Sequence, residues 1–174
     1  MAKDTLTPVA WIEAGLSELA NHGPQALKAE PLARSLKTTK GSFYWHFKDV
    51  PAFHAAVLNH WQAAAFSQVV NLLEDEGPAA DRLRRFGEEI QADPTDNALR
   101  AWAHSSEEVR NVIAQVDNER LKYLTALFSS IGVTDPDYAK AVYGSIIGMA
   151  QMGEMNGKVQ KAYSSLVDLV LALR

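Results

Sequence analysis

The stretch SLKTTKGSFYWHF, residues 35–47, decides the fold of this chain. It gathers lysines, hydroxyl groups and three aromatic residues followed by a histidine, in a chain whose net charge is −4. The KTT triplet interrupts a helical pattern, and Thr39 is a residue type that caps helices. We therefore expect a short helix from about Ala29 to Leu36, a tight turn, and another short helix that runs to about Phe47. This arrangement is a helix-turn-helix.

Helix patterns continue on both sides of this stretch, and strand patterns are almost absent. Thr7 followed by Pro8 predicts a capped first helix that stops at residues 21–24, and Asp49 with Pro51 predicts the start of a long fourth helix. A long helix ended by Gly132 is expected from the apolar spacing of residues 109–128. Further helix starts are predicted at Pro78, Asp93-Pro94 and Asp135-Pro136. The sequence thus predicts an all-α fold.

Composition limits the class of protein. The chain has 174 residues, of which 47% are hydrophobic and 22% charged, so disorder is not expected. It has no cysteine, which excludes disulfides, thiolate metal sites and cysteine nucleophiles. No apolar run approaches the roughly 18 residues of a membrane span. The N-terminal MAKDTLTPVAW reaches a charge and a proline before any apolar core, so we expect a cytoplasmic protein without membrane contact.

Charge is distributed unevenly along the chain. Residues 1–50 hold six Lys and Arg against five acidic residues, a charge of +1, so the remaining 124 residues carry −5. Between Lys28 and Lys48, five basic residues face one acid, Glu30. A basic patch on an acidic body is typical of a protein that contacts a polyanion at one end. A solvated helix face is the alternative interpretation.

The third predicted helix has the residues of a DNA contact. Lys40 and Ser42 near its start can face the floor of a groove, and Gly41 lets the backbone come close. Tyr44, Trp45 and His46 lie at its end, where they can hold phosphates. Alternatively, Tyr44 and Trp45 are ordinary packed aromatics. We expect the small core beneath to contain Ile12, Leu16, Leu19, Leu32, Leu36, Phe43 and Phe47.

The segment TTKGSFYWHFKD, preceded by PLARSL and a capped first helix, resembles the DNA-binding domain of the tetracycline repressor-like (TetR) family of bacterial regulators. The resemblance covers residues 7–58. It implies a helix-turn-helix DNA-binding domain at residues 1–50 and a helical ligand-binding and dimerisation domain at residues 51–174. It also implies that Thr39, Lys40, Gly41 and Ser42 meet bases and backbone, and that Tyr44 and His46 hold phosphates.

Two positions depart from the family pattern. The family usually has a lysine early in the fourth helix, where this chain has Val50; Lys48 or the amides at the Asp49 cap are the candidate replacements. The usual glycine of the turn is Lys37 here. The turn must therefore use a different backbone geometry or hold a lysine in a left-handed conformation.

The resemblance further implies a small-molecule effector and a homodimer. A helical bundle rich in aromatic and sulfur side chains can enclose an apolar cavity. Candidate ligand-binding residues are Trp61, Phe66, Phe86, Trp102, Tyr123, Met149 and Met152, with ordinary core packing as the alternative. Small residues in the segment 137–155 and an apolar C-terminal helix in 163–174 favour a dimer interface.

Catalysis is not predicted. GSIIG at residues 144–148 does not place its serine as a nucleophile elbow does, and there is no glycine-rich phosphate loop or His-Glu-x-x-His pair. His54 and His60 do not share a helix face, and the adjacent Glu88 and Glu89 point in different directions. We expect no enzyme, metal or cofactor, but a repressor released from a palindromic operator by a ligand. The alternatives are an activator or a regulator controlled by a protein partner, and a protein-interaction module that does not bind DNA.

Overall fold

The computed structural model describes residues 6–152 and 159–172. Residues 1–5, 153–158 and 173–174, which include parts of both predicted dimer segments, lie outside the described residues. Within the described ranges the chain forms nine α-helices, one 3₁₀ turn and no strand, so the predicted all-α class is confirmed. The helices are α1 (Pro8–His22), α2 (Ala29–Ser35), α3 (Lys40–His46), α4 (Val50–Glu74), α5 (Ala79–Gln91), α6 (Pro94–Ala103), α7 (Glu107–Ser130), α8 (Pro136–Gln151) and α9 (Val159–Ala172), and the 3₁₀ turn spans Pro24–Ala26.

The predicted caps begin the helices. The Thr7 hydroxyl accepts from the Ala10 amide at 3.2 Å, and an Asp49 carboxylate oxygen accepts from the Ala52 amide at 2.8 Å. Asp135 similarly accepts from the Asp137 amide at 2.9 Å. Each bond satisfies an amide that has no partner within its helix.

The described helices belong to two compact units. One unit comprises Met1–Ala64 with Ala98–Ile113, and the other comprises Ala65–Asn97 with Ala114–Arg174. The sequence-based division into domains at residues 1–50 and 51–174 stays a prediction.

Aromatic rings form the core of the first unit. Phe43 is fully buried, and its ring centroid lies 5.5 Å from that of Trp11 and 5.2 Å from that of Phe53. A Cβ on Gly15 would come within 2.7 Å of the Phe53 ring, so the glycine allows α1 to lie close against α4. Of the predicted core, Ile12, Leu19, Leu32, Phe43 and Phe47 are buried, whereas Leu16 and Leu36 are half-buried. Trp11 is a core residue that the sequence analysis missed.

In the second unit, α5 packs against α9 through a tyrosine and a glycine. The Tyr163 ring is almost fully buried and occupies the space where a Cβ of Gly87 would lie. The Tyr163 hydroxyl donates to the Leu83 carbonyl at 2.7 Å. Burial raises the pKa of Tyr163, which keeps the phenol protonated as a donor.

The same unit contains a buried ion pair. Arg120 Nη1 lies 2.6 Å from Asp96 Oδ1, and both side chains are buried. The Tyr143 hydroxyl donates to Asp117 at 2.6 Å and lies 3.4 Å from Arg120 Nη1. Burial opposes the charge of Arg120, but Tyr143 and Asp96 outweigh that effect, so the pKa of Arg120 is raised. The pair joins residues of α6 and α7 in the interior.

Candidate nucleic-acid interface

The turn between α2 and α3 holds a lysine in a left-handed conformation. Lys37 has a φ of 52°, and it is the only non-glycine residue with positive φ in the described part of the chain. Its amide donates to the Arg34 carbonyl at 3.1 Å, while the Thr38 amide donates to the Ala33 carbonyl at 2.8 Å. These two bonds form a Schellman motif, which normally uses glycine at this position. Of the two geometries considered for Lys37, the left-handed one is present, at a cost of roughly 1–2 kcal/mol.

One side of α3 is anchored and the other is open. The Thr39 hydroxyl accepts from the Ser42 amide at 3.3 Å, which caps the helix where the sequence predicted. Phe43 points into the core, whereas Tyr44 is 46% exposed and Trp45 is 83% exposed. Neither Tyr44 nor Trp45 is therefore a core aromatic.

The other predicted DNA-binding residues lie around the same short helix. Lys40 and Gly41 are exposed in its first turn, and the Lys40 ammonium group lies 5.9 Å from the centre of the Tyr44 ring. Ser42 and His46 are half-buried, and the His46 ring meets the Trp45 ring edge-on at 5.9 Å. Lys48 is exposed just after the helix. Cations, hydroxyls and aromatic edges are thus available together at one surface.

An open groove of about 500 Å³ adds a residue that the sequence analysis did not include in the site. Lys28 lines this groove together with Lys40, Tyr44 and Val50. The excess of basic residues between positions 28 and 48 was the sequence pattern that could have identified it. Arg34 also lines the groove, but its guanidinium lies 3.4 Å from the Glu30 carboxylate, which offsets its charge.

The start of α4 limits what can replace the lysine that the family usually has at Val50. The Asp49 carboxylate already accepts from the Ala52 amide, and Pro51 has no amide N–H. Two of the first three amide positions of α4 are therefore unavailable to a phosphate. The exposed Lys48 and the groove residue Lys28 are better candidates than the cap amides.

The predicted ligand-binding residues are found in different surroundings. In the second unit, Phe86 and Tyr123 are buried with ring centroids 5.5 Å apart, and Met149 packs against the same core. Burial raises the pKa of Tyr123, and the Arg82 guanidinium lies 5.8 Å from its ring centre. Trp61 and Trp102 are buried as well, but in the first unit. Phe66 is half-buried. Met152 is 67% exposed, so its side chain is not part of a buried core. A ligand cavity lined by these residues stays a prediction.

The histidines considered for metal binding have other surroundings. His54 donates from Nε2 to the Leu27 carbonyl at 2.9 Å, and its ring lies edge-on to Trp102 at 5.0 Å. Across residues 6–152 and 159–172, no group of three or more histidine, aspartate or glutamate side chains is placed to hold a metal ion. None of the described helices combines the length and apolar character needed to cross a membrane.

Comparison with known proteins agrees with this geometry. Residues 12–49 match the model of the family described as bacterial regulatory proteins, tetR family. A search of curated proteins finds no match.

Several solved structures share the fold over nearly their whole length. A TetR-family transcriptional regulator from Rhodococcus sp. superposes with a TM-score of 0.76 at 20% identity, covering 94% of this chain and 98% of that one. E. coli NemR in its reduced form superposes with a TM-score of 0.78 at 18% identity, covering 96% of this chain and 97% of that one. A transcriptional regulator from Saccharomonospora viridis in complex with choline superposes with a TM-score of 0.76 at 13% identity, covering 92% of this chain and 95% of that one. At these identities the likeness to the solved structures establishes the fold alone. The resemblance to the TetR family predicted from the sequence is confirmed by the family-model match over residues 12–49.

Proposed function

We propose that this chain, which carries a TetR-family DNA-binding segment at residues 12–49, is a homodimeric transcriptional repressor that leaves a palindromic operator when a small molecule binds. The main support for this proposal is that one side of α3 is buried and the other is exposed. Phe43 fixes the helix in an aromatic core, while Lys40, Tyr44 and Trp45 remain exposed to solvent. A helix held rigidly with its polar and aromatic side outward is suited to the major groove.

The roles within α3 follow from position. Lys40 and Ser42, in the first turn, contact base edges, with Thr39 and the exposed Gly41 beside them. Tyr44, Trp45, His46 and Lys48, at or beyond the last turn, hold the sugar-phosphate backbone and set the orientation of the helix.

A two-fold dimer gives two such helices for two half-sites. Supporting this, Gly144 and Gly148 lie one turn apart on α8. Among the described residues, no atom apart from the neighbouring residues and backbone of α8 itself lies within 4 Å of a Cβ built on either glycine. Such an open, small-residue surface lets a second helix approach closely. On α9, Leu169 is exposed although it is a large apolar residue. Contact between copies of these helices would remove it from water.

The effector is a small, largely apolar or aromatic molecule. The aromatic and methionine content of the C-terminal helices supports this class. A regulator that shares the fold has been solved in complex with choline, which supports a small-molecule ligand. The ligand favours a state in which α4 holds the two DNA-binding heads at a spacing unsuited to successive major grooves. Repression is therefore relieved by a shift in population between two states.

Selection of bound sequences from random duplex DNA tests the DNA-binding part of the proposal. We expect a palindrome whose half-sites are separated by a multiple of about 10 base pairs. Unsymmetrical or random output would contradict the dimeric repressor.

A gel shift on the selected site, titrated with candidate small molecules, tests the ligand-release part. Release of the DNA supports a ligand-controlled repressor. Continued binding at saturating ligand, with the ligand bound to the protein, would instead favour an activator or control by a protein partner.

A further inference from the structure

We propose that the ammonium group of Lys37 binds a DNA phosphate, and that this contact is the function of the lysine in the turn between α2 and α3. The inference rests on the proposed DNA-binding function. It adds a residue to the interface at a position where neither the helix-turn-helix geometry nor the protein core requires a side chain.

The turn itself gives no reason for a lysine. Lys37 has a φ of 52°, a conformation that glycine adopts without steric cost and other residues adopt only under strain. The hydrogen bonds of the turn join the Lys37 amide to Arg34 and the Thr38 amide to Ala33, and all four groups belong to the backbone. A glycine would make the same bonds with less strain.

The folded protein does not use the side chain of Lys37 either. The side chain is exposed, and within the described ranges 6–152 and 159–172 it has no ion pair or hydrogen bond. The only acidic residue between positions 28 and 48 is Glu30, and it lies 3.4 Å from Arg34. Lys37 is thus a strained cation in a basic segment, where like charges repel one another. A bound polyanion reduces the repulsion between the basic residues, and the favourable free energy of the phosphate contact outweighs the backbone strain.

The location of Lys37 favours a phosphate over a base. Lys37 lies two residues before Thr39, the cap of α3, and therefore ahead of the helix that contains Lys40 and Ser42. Side chains outside the inserted helix meet the sugar-phosphate backbone that borders the groove. Lysine is suited to this as a flexible point charge with three donors. The contact should therefore be independent of DNA sequence.

Three variants separate the charge from the backbone conformation. Lys37→Gly removes both the charge and the strain, Lys37→Ala removes the charge and keeps the strain, and Lys37→Arg keeps both. Lys122→Ala is the control, since Lys122 is an exposed lysine of α7 in the other unit. Binding of each full-length protein to a random-sequence DNA duplex is measured at several NaCl concentrations, and each melting temperature is recorded.

We expect the Gly and Ala variants to lose roughly tenfold in affinity at ~0.1 M salt and to reduce the salt slope by about one unit per protomer. The Arg variant and the Lys122 control should behave as the unmodified protein does. The Gly variant alone should melt a few degrees higher. Unmodified protein that binds DNA with the same slope as the Gly and Ala variants overturns the role of Lys37. Unmodified protein without any salt-dependent binding overturns the proposed function itself, and with it this inference.

Discussion

At the scale of the single residue, the hydroxyl of Tyr44 should matter for DNA and not for the fold. The ring is 46% exposed, and Tyr44→Phe removes only the oxygen. We expect affinity for DNA to fall by about 1–2 kcal/mol on every sequence, with an unchanged melting temperature. Tyr138→Phe is the matched control, because Tyr138 is 43% exposed on α8. Equal affinity of the Tyr44 variant would make this ring a surface residue without a DNA contact.

Lys40 distinguishes base contact from phosphate contact. Its ammonium group lies 5.9 Å from the Tyr44 ring centre, in the first turn of α3. If it contacts a base, as we expect, Lys40→Ala costs about 1–3 kcal/mol on the selected site and relaxes discrimination at one symmetric pair of positions. The comparison is made with a scrambled duplex at matched salt. Equal loss on both duplexes would assign Lys40 to a phosphate, and sequence preference to Thr39, Ser42 or DNA shape.

Two other lysines are candidates to replace the lysine that the family usually has at the position of Val50. Lys48 follows α3, and Lys28 lines the groove that also contains Val50. Each should neutralise one phosphate in each protomer, so Lys48→Ala and Lys28→Ala should each lower the salt slope by about one unit per protomer. Measuring binding constants across a salt series checks this. If neither variant changes the salt slope, no other lysine replaces the phosphate contact that is missing at Val50.

At the scale of the element, the packing of α9 on α5 depends on one glycine. A Cβ at position 87 would overlap the Tyr163 ring, which is almost fully buried. We expect Gly87→Ala to destabilise the protein by about 1–3 kcal/mol, although alanine is the better helix former. Gly144→Ala is the control and should not destabilise the protomer, because in the described part of the chain the new Cβ meets nothing within 4 Å beyond its own stretch of α8. Urea unfolding of both variants measures the difference, and equal stabilities would show that Tyr163 can repack.

At the scale of the whole molecule, the dimer can be separated from the fold of the protomer. A Cβ at Gly148 meets no described atom within 4 Å outside its own stretch of α8, so Gly148→Leu should fold normally and gain helix propensity. If a second copy packs closely on α8, the same leucine should dissociate the dimer and lower the affinity for a palindromic site. Sedimentation across a concentration series measures the first effect, and binding to the selected site measures the second. A dimer of unchanged affinity would place the interface elsewhere.

The sequence alone determined the features that depend on neighbours along the chain. Thr7, Thr39, Asp49 and Asp135 cap the helices that they were predicted to start, because a cap needs only a side chain and an amide two or three residues away. The helix-turn-helix was predictable for the same reason. The buried faces were mostly predictable from helical periodicity, although Trp11 was missed.

Only the tertiary structure decided which distant residues meet. Exposure of Tyr44 and Trp45, rather than burial, depends on which side of α3 faces the rest of the first unit. The pairing of Asp96 with Arg120 joins residues 24 positions apart, and the Tyr163 ring lies at Gly87. The left-handed Lys37 belongs with these, because the turn must hold α2 and α3 against a shared core, and that requirement overrides the local preference of lysine.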